Sequence, residues 1–298
     1  MSDMSHNHQK KIAVINDMSG FGRCSIAVEL PVISAMKVQC CPLPTSIFSN
    51  HTGFESFFFD DYTDKMEDYM QEWVKLGLQF NGICTGFLGS ARQIRIVEHF
   101  LSLFQTKDNI TIIDPVMGDY GKMYPTYTQE TCEEMKKLVT HADILTPNLT
   151  EGCILSGMAY HESWTKKELT HMAELLAEKG PEKIVITGIQ QGKYVANFCY
   201  EMGQEGYFIK TEKAGMSRSG TGDIFSAIIA ADAVNGVDFH NSREQQFLWM
   251  KEQGFDVVEY KKVTGAGIPK AVQEFSEAIV HNDFPSDGLV STYEDIAY

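Results

Sequence analysis

Ile12-Ala13-Val14-Ile15, followed at once by Asn16-Asp17-Met18-Ser19-Gly20-Phe21-Gly22, is the stretch whose reading decides the fold class. Four consecutive apolar residues without polar alternation read as a strand buried on both faces, which marks a parallel sheet covered by helices. The same pattern recurs outward along the chain. Residues 38–43, 82–86, 110–114, 142–146 and 183–187 are further strand-length apolar runs. The spacing predicts helices between them: one ending near Met36, then 64–78, 91–104, 129–139 and 166–179. Met66, Tyr69, Met70, Trp73, Val74 and Leu76 form the apolar stripe of the second. Ser19-Gly20-Phe21-Gly22 reads as a turn after the first strand, and Pro31 should bend the first helix or end its first half. Residues 194–200 and 206–211 read as an antiparallel hairpin added to the sheet. The expected architecture is a three-layer α-β-α sandwich around a mainly parallel sheet.

Bulk properties narrow the function classes. The 298 residues are 43% hydrophobic, enough for one large α/β domain or two smaller ones. Forty acidic against 25 basic side chains give a net charge of −15, which argues against a nucleic-acid surface. Seven cysteines stand at 24, 40, 41, 84, 132, 153 and 199 with neither a CxxC pair nor zinc spacing, so reduced thiols are expected. No 18-residue apolar run spans a membrane, and Met1 to Lys10 is polar and without the apolar centre of a signal peptide. A cytoplasmic protein is expected. Residues 1–10 read as a disordered segment, 11–282 as a single domain and 283–298 as a polar tail.

Ligands of such sheets bind beyond the carboxyl ends of the strands. Polar residues gather there: Asn16-Asp17-Met18-Ser19, Thr45, Thr85-Gly86-Phe87, Asp114 to Asp119, Thr146 to Glu151, and Thr187-Gly188. Ser219-Gly220-Thr221-Gly222-Asp223 then runs into the apolar stretch Ile224 to Ala230, so a helix is expected to start near Gly222. A helix N-terminus favours anions, and a carboxylate there suits simple phosphate binding poorly. It suits a base that deprotonates a hydroxyl while N–H groups stabilise the phosphoryl group under attack. The plainer alternative is a glycine-rich turn with an acid in the first helical turn.

Other motifs have alternatives of their own. Asp114 and Asp119 flank a Pro-Val-Met-Gly turn and suit Mg²⁺ near a polyphosphate, or are two solvated acids. Asn148 and Glu151 face the same mouth, or simply cap a helix. Phe48, His51, Thr52 and Phe54 line an aromatic pocket, or His51 is a hydrogen-bonded loop residue. Gly20-Phe21-Gly22 mimics a dinucleotide fingerprint, but Ser25 replaces its third glycine and no acid ends the second strand. Gly121-Lys122 and Gly192-Lys193 lack Walker A spacing.

Four motifs in order, Ser49-Asn50-His51-Thr52-Gly53, Asp114-Pro115-Val116-Met117-Gly118-Asp119, Thr146-Pro147-Asn148-Leu149-Thr150-Glu151 and Gly220-Thr221-Gly222-Asp223, resemble the ribokinase-like superfamily, and within it the pyridoxal/pyridoxamine kinases. The resemblance covers residues 11–240. It implies transfer of the γ-phosphoryl group of ATP to the 5′-hydroxymethyl of a B6 vitamer. It implies Asp223 as base, with Gly220, Thr221 and Gly222 as the anion hole. It further implies Asp114, Asp119 and Glu151 around Mg²⁺ and water, and Asn148 and Thr187 on phosphates. Asp17 or Ser19, Thr52 and Phe87 match ring-holding positions, with Phe48 and His51 beside them. A monovalent cation such as K⁺ and a homodimer also belong to this expectation, as does the absence of nucleic-acid and membrane partners. Two departures stand out. Asn16-Asp17-Met18-Ser19 replaces the Ser-His pair of the better-known branch, and 241–298 does not match the family pattern. In that segment Arg243 to Gln253 and Pro269 to His281 read as helices around a strand at 255–260. A hydroxymethylpyrimidine (phosphate) kinase resembles the same motifs. A sugar kinase fits the aromatic residues less well, and a vitamer- or nucleotide-binding protein without turnover is the alternative outside enzymes.

Overall fold

The apolar run Lys11–Ile15 extends further than its composition suggests: β1 covers Lys11–Phe21. A computed structural model describes residues 9–125, 127–213 and 219–236 of the chain. In chain order the elements are α1 (Ile26–Ala35), β2 (Gln39–Asn50), β3 (Phe59–Asp61), α2 (Thr63–Lys75), β4 (Gly82–Thr85) and α3 (Ala91–Phe104). There follow β5 (Ile110–Ile113), β6 (Gly118–Asp119), β7 (Lys122–Met123), α4 (Gln129–Leu138), β8 (Ile144–Leu145) and α5 (Leu149–Ser156). α6 (Lys166–Ala177), β9 (Lys183–Gln191), β10 (Tyr194–Glu201), β11 (Tyr207–Glu212) and α7 (Thr221–Asn235) complete the described chain. Two compact units divide it, Met1–Val237 and Asp238–Tyr298. The expected helices and strand after 240, the polar tail and most of the N-terminal segment lie outside the described residues.

Nine strands form one sheet in the order β11-β10-β9-β8-β5-β4-β1-β2-β3. The pairs from β9 through β8, β5, β4 and β1 to β2 are parallel, whereas β10, β11 and β3 run antiparallel at the two edges. Alternation along β1 sorts the two faces. Ala13 and Ile15 join a core with Met66 and Met70 of α2, Phe100 of α3, Met135 of α4 and Leu169 of α6. On the other face Ile12 and Val234 crowd Gly82, where a side chain would meet both. That face carries α1 and α7, which pack against each other. The structure is thus the three-layer α/β sandwich expected, with strand-exit loops gathered along one edge.

Several boundaries differ from the sequence reading, each for a physical reason. Ser19 to Phe21 of the expected turn are strand instead, because β1 keeps pairing with β2 as far as Phe21 and Asn50, and the chain bends only at Gly22. β2 is correspondingly longer than 38–43, and its Pro42 and Pro44 lie where β3 does not reach. A proline has no N–H to offer a second neighbour, so it fits there. α1 begins only at Ile26 and continues through Pro31 to Ala35 without being cut.

An aromatic chain welds the α2–α3 layer to the sheet: Phe100 lies 4.6 Å from Phe104 and 6.1 Å from both Trp73 and Phe80, ring centre to ring centre. Phe100 is fully buried. Phe100→Ala is expected to destabilise the domain by about 3–5 kcal/mol through lost transfer energy and a residual cavity. Chemical denaturation checks this, and a loss below about 1 kcal/mol would show that the layer is loosely packed.

Candidate active site

The first strand carries its polar end, Asn16 to Ser19, beside an irregularity in its pairing with β2. Pairing of β1 with β2 shifts register between Asn16 and Met18, where Asp17 alone stands opposite Thr45 and Ser46, so the bulge and its extra residue lie on β2. Asn16 and Asp17 are both buried although adjacent, as is every residue of β1 from Lys11 to Asp17, because the strand is covered on both faces. Ser19 Oγ and Ser25 Oγ donate to Asp17, at 3.4 and 2.7 Å. Ser25 holds a positive φ of 53°, a conformation costly for a non-glycine residue and often kept where function needs it.

The last described helix meets this corner. Gly220 caps α7 with φ of 82°, and a Cβ there would run into the Arg23 carbonyl oxygen, so glycine lets the helix start dock on the 23–25 backbone. Ile224 N–H donates to Gly220 O at 3.0 Å, opening the helix one residue before the expected Gly222. Asp223 sits in the first turn, half-buried, and its Oδ2 accepts the Ser25 N–H at 2.7 Å. Its Oδ1 lies 3.4 Å from Asn16 Nδ2. Asp114 approaches from the exit of β5: a methyl group at Gly222 would stand 3.9 Å from its Oδ2. Ser226 Oγ, one turn further along α7, donates to that same oxygen at 2.8 Å. Asp17, Ser19, Asp114, Gly220, Gly222 and Asp223 are therefore brought together, and Thr221 opens the helix with its side chain exposed.

A second group lies beside the first. Asn148 and Glu151 form a reciprocal capping box at the start of α5. Glu151 is buried; its Oε1 accepts the Met117 N–H at 3.1 Å and its Oε2 the Asn148 N–H at 2.8 Å. Asn148 Nδ2 donates to Gly118 O, which ties the cap to the β6–β7 hairpin. Asp119 opens that hairpin, whose Tyr120 and Gly121 both have positive φ as a tight hairpin turn requires. Thr187 of β9 pairs with Asn148 in an isolated parallel bridge beyond the end of β8. Glu151 is thus the capping residue of the plainer reading, with a carboxylate already accepting two backbone N–H groups.

The aromatic residues divide. Phe87 N–H donates to Asn16 Oδ1 at 2.9 Å and Phe87 O accepts from Thr45 Oγ1, so its backbone is fastened to the first group. Phe48 is buried against Phe59 and Phe57, at 4.9 and 5.8 Å. A groove of about 550 Å³ opens further along β1 and β2, lined by Phe21, Ser49, Asn50, Phe54, Glu55 and Ser56. His51 Nδ1 accepts the Gly53 N–H at 3.0 Å and closes a turn, while Thr52 is exposed. Among the described residues no hydrogen bond joins either of them to Asp114 or Asp223.

Three residues that the sequence reading passed over belong to the centre: Ser25, Ser226 and Glu29. Glu29 is 1% exposed and accepts from Asn16 Nδ2 at 3.0 Å. As a lone acid on the otherwise apolar Ile26–Ala35 it carried a signal; the two serines carried none. The centre is a concentration of buried acids. Burial pushes the Asp114 carboxyl up to about 7 against the Ser226 hydrogen bond, and the charge of Asp223 adds to it. Burial likewise raises Asp17 and Glu151, the latter aided by Asp114. Among the described residues no three His, Cys, Asp or Glu side chains form a metal cluster. Mg²⁺ needs only one or two protein carboxylates and keeps several waters, so buried Asp114, which has no cationic partner among the described residues, fits it. The arrangement can abstract a proton and accept an anion at one place. No described helix is long and apolar enough to cross a membrane.

Residues 22–260 match the model of the phosphomethylpyrimidine kinase family, and the chain belongs to that family, with a ribokinase-like fold. A Bacteroides thetaiotaomicron protein, provisionally assigned as a phosphomethylpyrimidine kinase, superposes with a TM-score of 0.77 at 36% identity, covering 92% of this chain and 96% of that one. In a second crystal form that protein contains pyridoxal (TM-score 0.74, 37% identity, 85% and 90% covered). A pyridoxal kinase of Arabidopsis thaliana is 29% identical over 198 residues, 63% of this chain and 62% of the plant enzyme. A DNA ligase of Ruminiclostridium cellulolyticum is 53% identical over 72 residues, 24% of this chain and 10% of the ligase. The chain thus spans about three-fifths of the plant kinase and a tenth of the ligase.

The buried acids make stability depend on pH. Asp114 binds a proton up to about 7 when folded, against 3.8 for an ordinary aspartate, so between these values the unfolded chain holds fewer protons. Stability therefore falls as pH rises from about 4 to about 7. In melting of the metal-free protein, Asp114→Asn is expected to exceed the parent at pH 8, with the difference shrinking toward pH 4. A difference independent of pH would remove Asp114 as its source.

Proposed function

We propose that the chain is an ATP-dependent kinase acting on the 5′-hydroxymethyl group of a B6 vitamer. The observation that carries this reading is the placement of Asp223, a carboxylate oriented by the Ser25 N–H inside the first turn of a helix docked at the strand exits. A carboxylate there takes the hydroxyl proton as the oxygen attacks the γ-phosphorus of ATP, and the bond to ADP breaks. The negative charge on the transferred group meets the first-turn N–H end of α7, with Gly222 exposed there. Gly220 contributes by allowing the close docking that sets the helix start. Catalysis of this kind is positioning and charge neutralisation.

Asp114 would hold Mg²⁺, with Asp119 reached through water, and the ion when bound would neutralise polyphosphate charge. Glu151 acts here by fixing the Met117 and Asn148 backbones, and Asn148 and Thr187 form the neighbouring edge for phosphates. Asp17, Ser19, Phe48 and Phe87 are assigned to the aromatic ring, with His51 and Thr52 shaping the loop beside it. Pyridoxal in the 37%-identical Bacteroides structure supports the vitamer. The family description favours a second reading, a hydroxymethylpyrimidine (phosphate) kinase with the same residues and chemistry.

ADP release from Mg-ATP, with pyridoxal, pyridoxamine, pyridoxine and hydroxymethylpyrimidine offered separately, separates the two. Turnover is expected with a B6 vitamer; turnover with the pyrimidine alone would replace this reading by the second, and none with any would overturn both. Asp223→Asn is expected to lower kcat by about 10²- to 10⁴-fold with folding intact. Activity within a few-fold of the parent would remove Asp223 as the base.

A further inference from the structure

The Asn16 side chain is engaged at every hydrogen-bonding position the centre offers it. Its Oδ1 accepts two backbone N–H groups, Asp17 and Phe87, both at 2.9 Å. Two donors at one end fix the orientation of the amide, since the reverse placement would set N–H against N–H. Nδ2 must therefore point at the acids, Glu29 Oε2 at 3.0 Å and Asp223 Oδ1 at 3.4 Å. Gly86 makes room for it: a Cβ at 86 would collide with the amide. The side chain is fully buried, so these partners are the alternatives to leaving a buried N–H unmet.

Glu29 is the odd member. A fully buried carboxyl on the core side of α1, with no ion pair among the described residues, is costly unless it performs a task. Among the described residues its carboxyl accepts from the amide that also reaches Asp223. We infer that Glu29 and Asn16 are a positioning pair, in which Glu29 holds the Asn16 amide so that its second N–H steers the Asp223 carboxylate toward the substrate hydroxyl. The inference rests on the reading of Asp223 as base. With Ser25 N–H on Oδ2 and Asn16 on Oδ1, both oxygens of Asp223 are oriented from the α1 side, leaving their remaining lone pairs for the proton in transit. Burial, and then the charge of Asp223, push the Glu29 carboxyl well above its ordinary range, so neutral glutamine is its conservative replacement.

The test measures kcat and KM for pyridoxal and Mg-ATP in the full chain, with Glu29→Gln, Glu29→Leu, Asn16→Asp, Asp223→Asn and the Glu29→Leu/Asp223→Asn double variant. Glu29→Gln is expected within about threefold of the parent, whereas Glu29→Leu loses about 10- to 100-fold in kcat with both KM values nearly unchanged, as a small misplacement of a catalytic group does. The double variant is expected to be no slower than Asp223→Asn alone, because both changes act through one carboxylate. Should Glu29→Leu fail to fold by its melting curve, Asn16→Asp decides, since it keeps the accepting oxygen and replaces the donors by a second oxygen facing Glu29 and Asp223. It is expected to lose kcat similarly. A Glu29→Leu or Asn16→Asp protein that folds with unchanged kcat, or losses that multiply in the double variant, overturns the positioning pair while Asp223 stands. A surviving Asp223→Asn activity overturns the base itself, a separate result.

Discussion

One hydrogen bond closes this domain: the Ser25 N–H to Asp223 Oδ2, 2.7 Å long, joining residues 198 positions apart. It can form only if α7 starts against the backbone that follows β1, and Gly220 permits that approach where a side chain would strike the Arg23 carbonyl. From this contact the rest of the centre follows. The first turn of α7 faces the exit of β5, where Ser226 binds Asp114, and the same helix covers the face of the sheet bearing Ile12. Packing on one side of the sheet and acid placement at its edge are thus set by a single docking.

That docking assembles groups that repel one another. Asp17, Glu29, Asp114 and Glu151 are all held above their ordinary carboxyl range, chiefly by burial, and Asp223 raises the first three further. A fold selected for stability alone would replace them with apolar residues. Such a gathering of raised carboxyls costs stability and supports the reading of this corner as the proposed site. The apolar layers on both faces, including the aromatic chain around Phe100, supply the compensation. Ser25 adds backbone strain at the same corner.

Two of the plainer alternatives also hold in part. The Asn148–Glu151 pair is a capping box in full geometric sense, and His51 closes a turn. Neither fact separates structure from function cleanly. The box fixes the Met117–Gly118 backbone between Asp114 and Asp119, so a structural motif sets the width of the mouth where the two acids stand.

Periodicity in the sequence determined the class of fold and most element positions. Helices at 91–104, 129–138 and 166–177 and strands from 82, 110 and 183 follow from local apolar patterns that tertiary context reinforces. Asp17, Asp114, Asp119, Glu151 and Asp223 were legible too, because strand ends and a Gly-Thr-Gly-Asp helix start are local features. What tertiary structure alone decided is pairing at a distance. The continuation of β1 and β2 to Phe21 and Asn50 comes from their mutual hydrogen bonds, and the bulge that sets Thr45 and Ser46 opposite Asp17 comes from their register. Ser25, Ser226 and Glu29 entered the site only when α1 and α7, far apart in the chain, packed together on one face of the sheet. A hydrogen bond between residues some two hundred positions apart leaves no periodicity in either neighbourhood, and only the folded packing brings its two ends within reach.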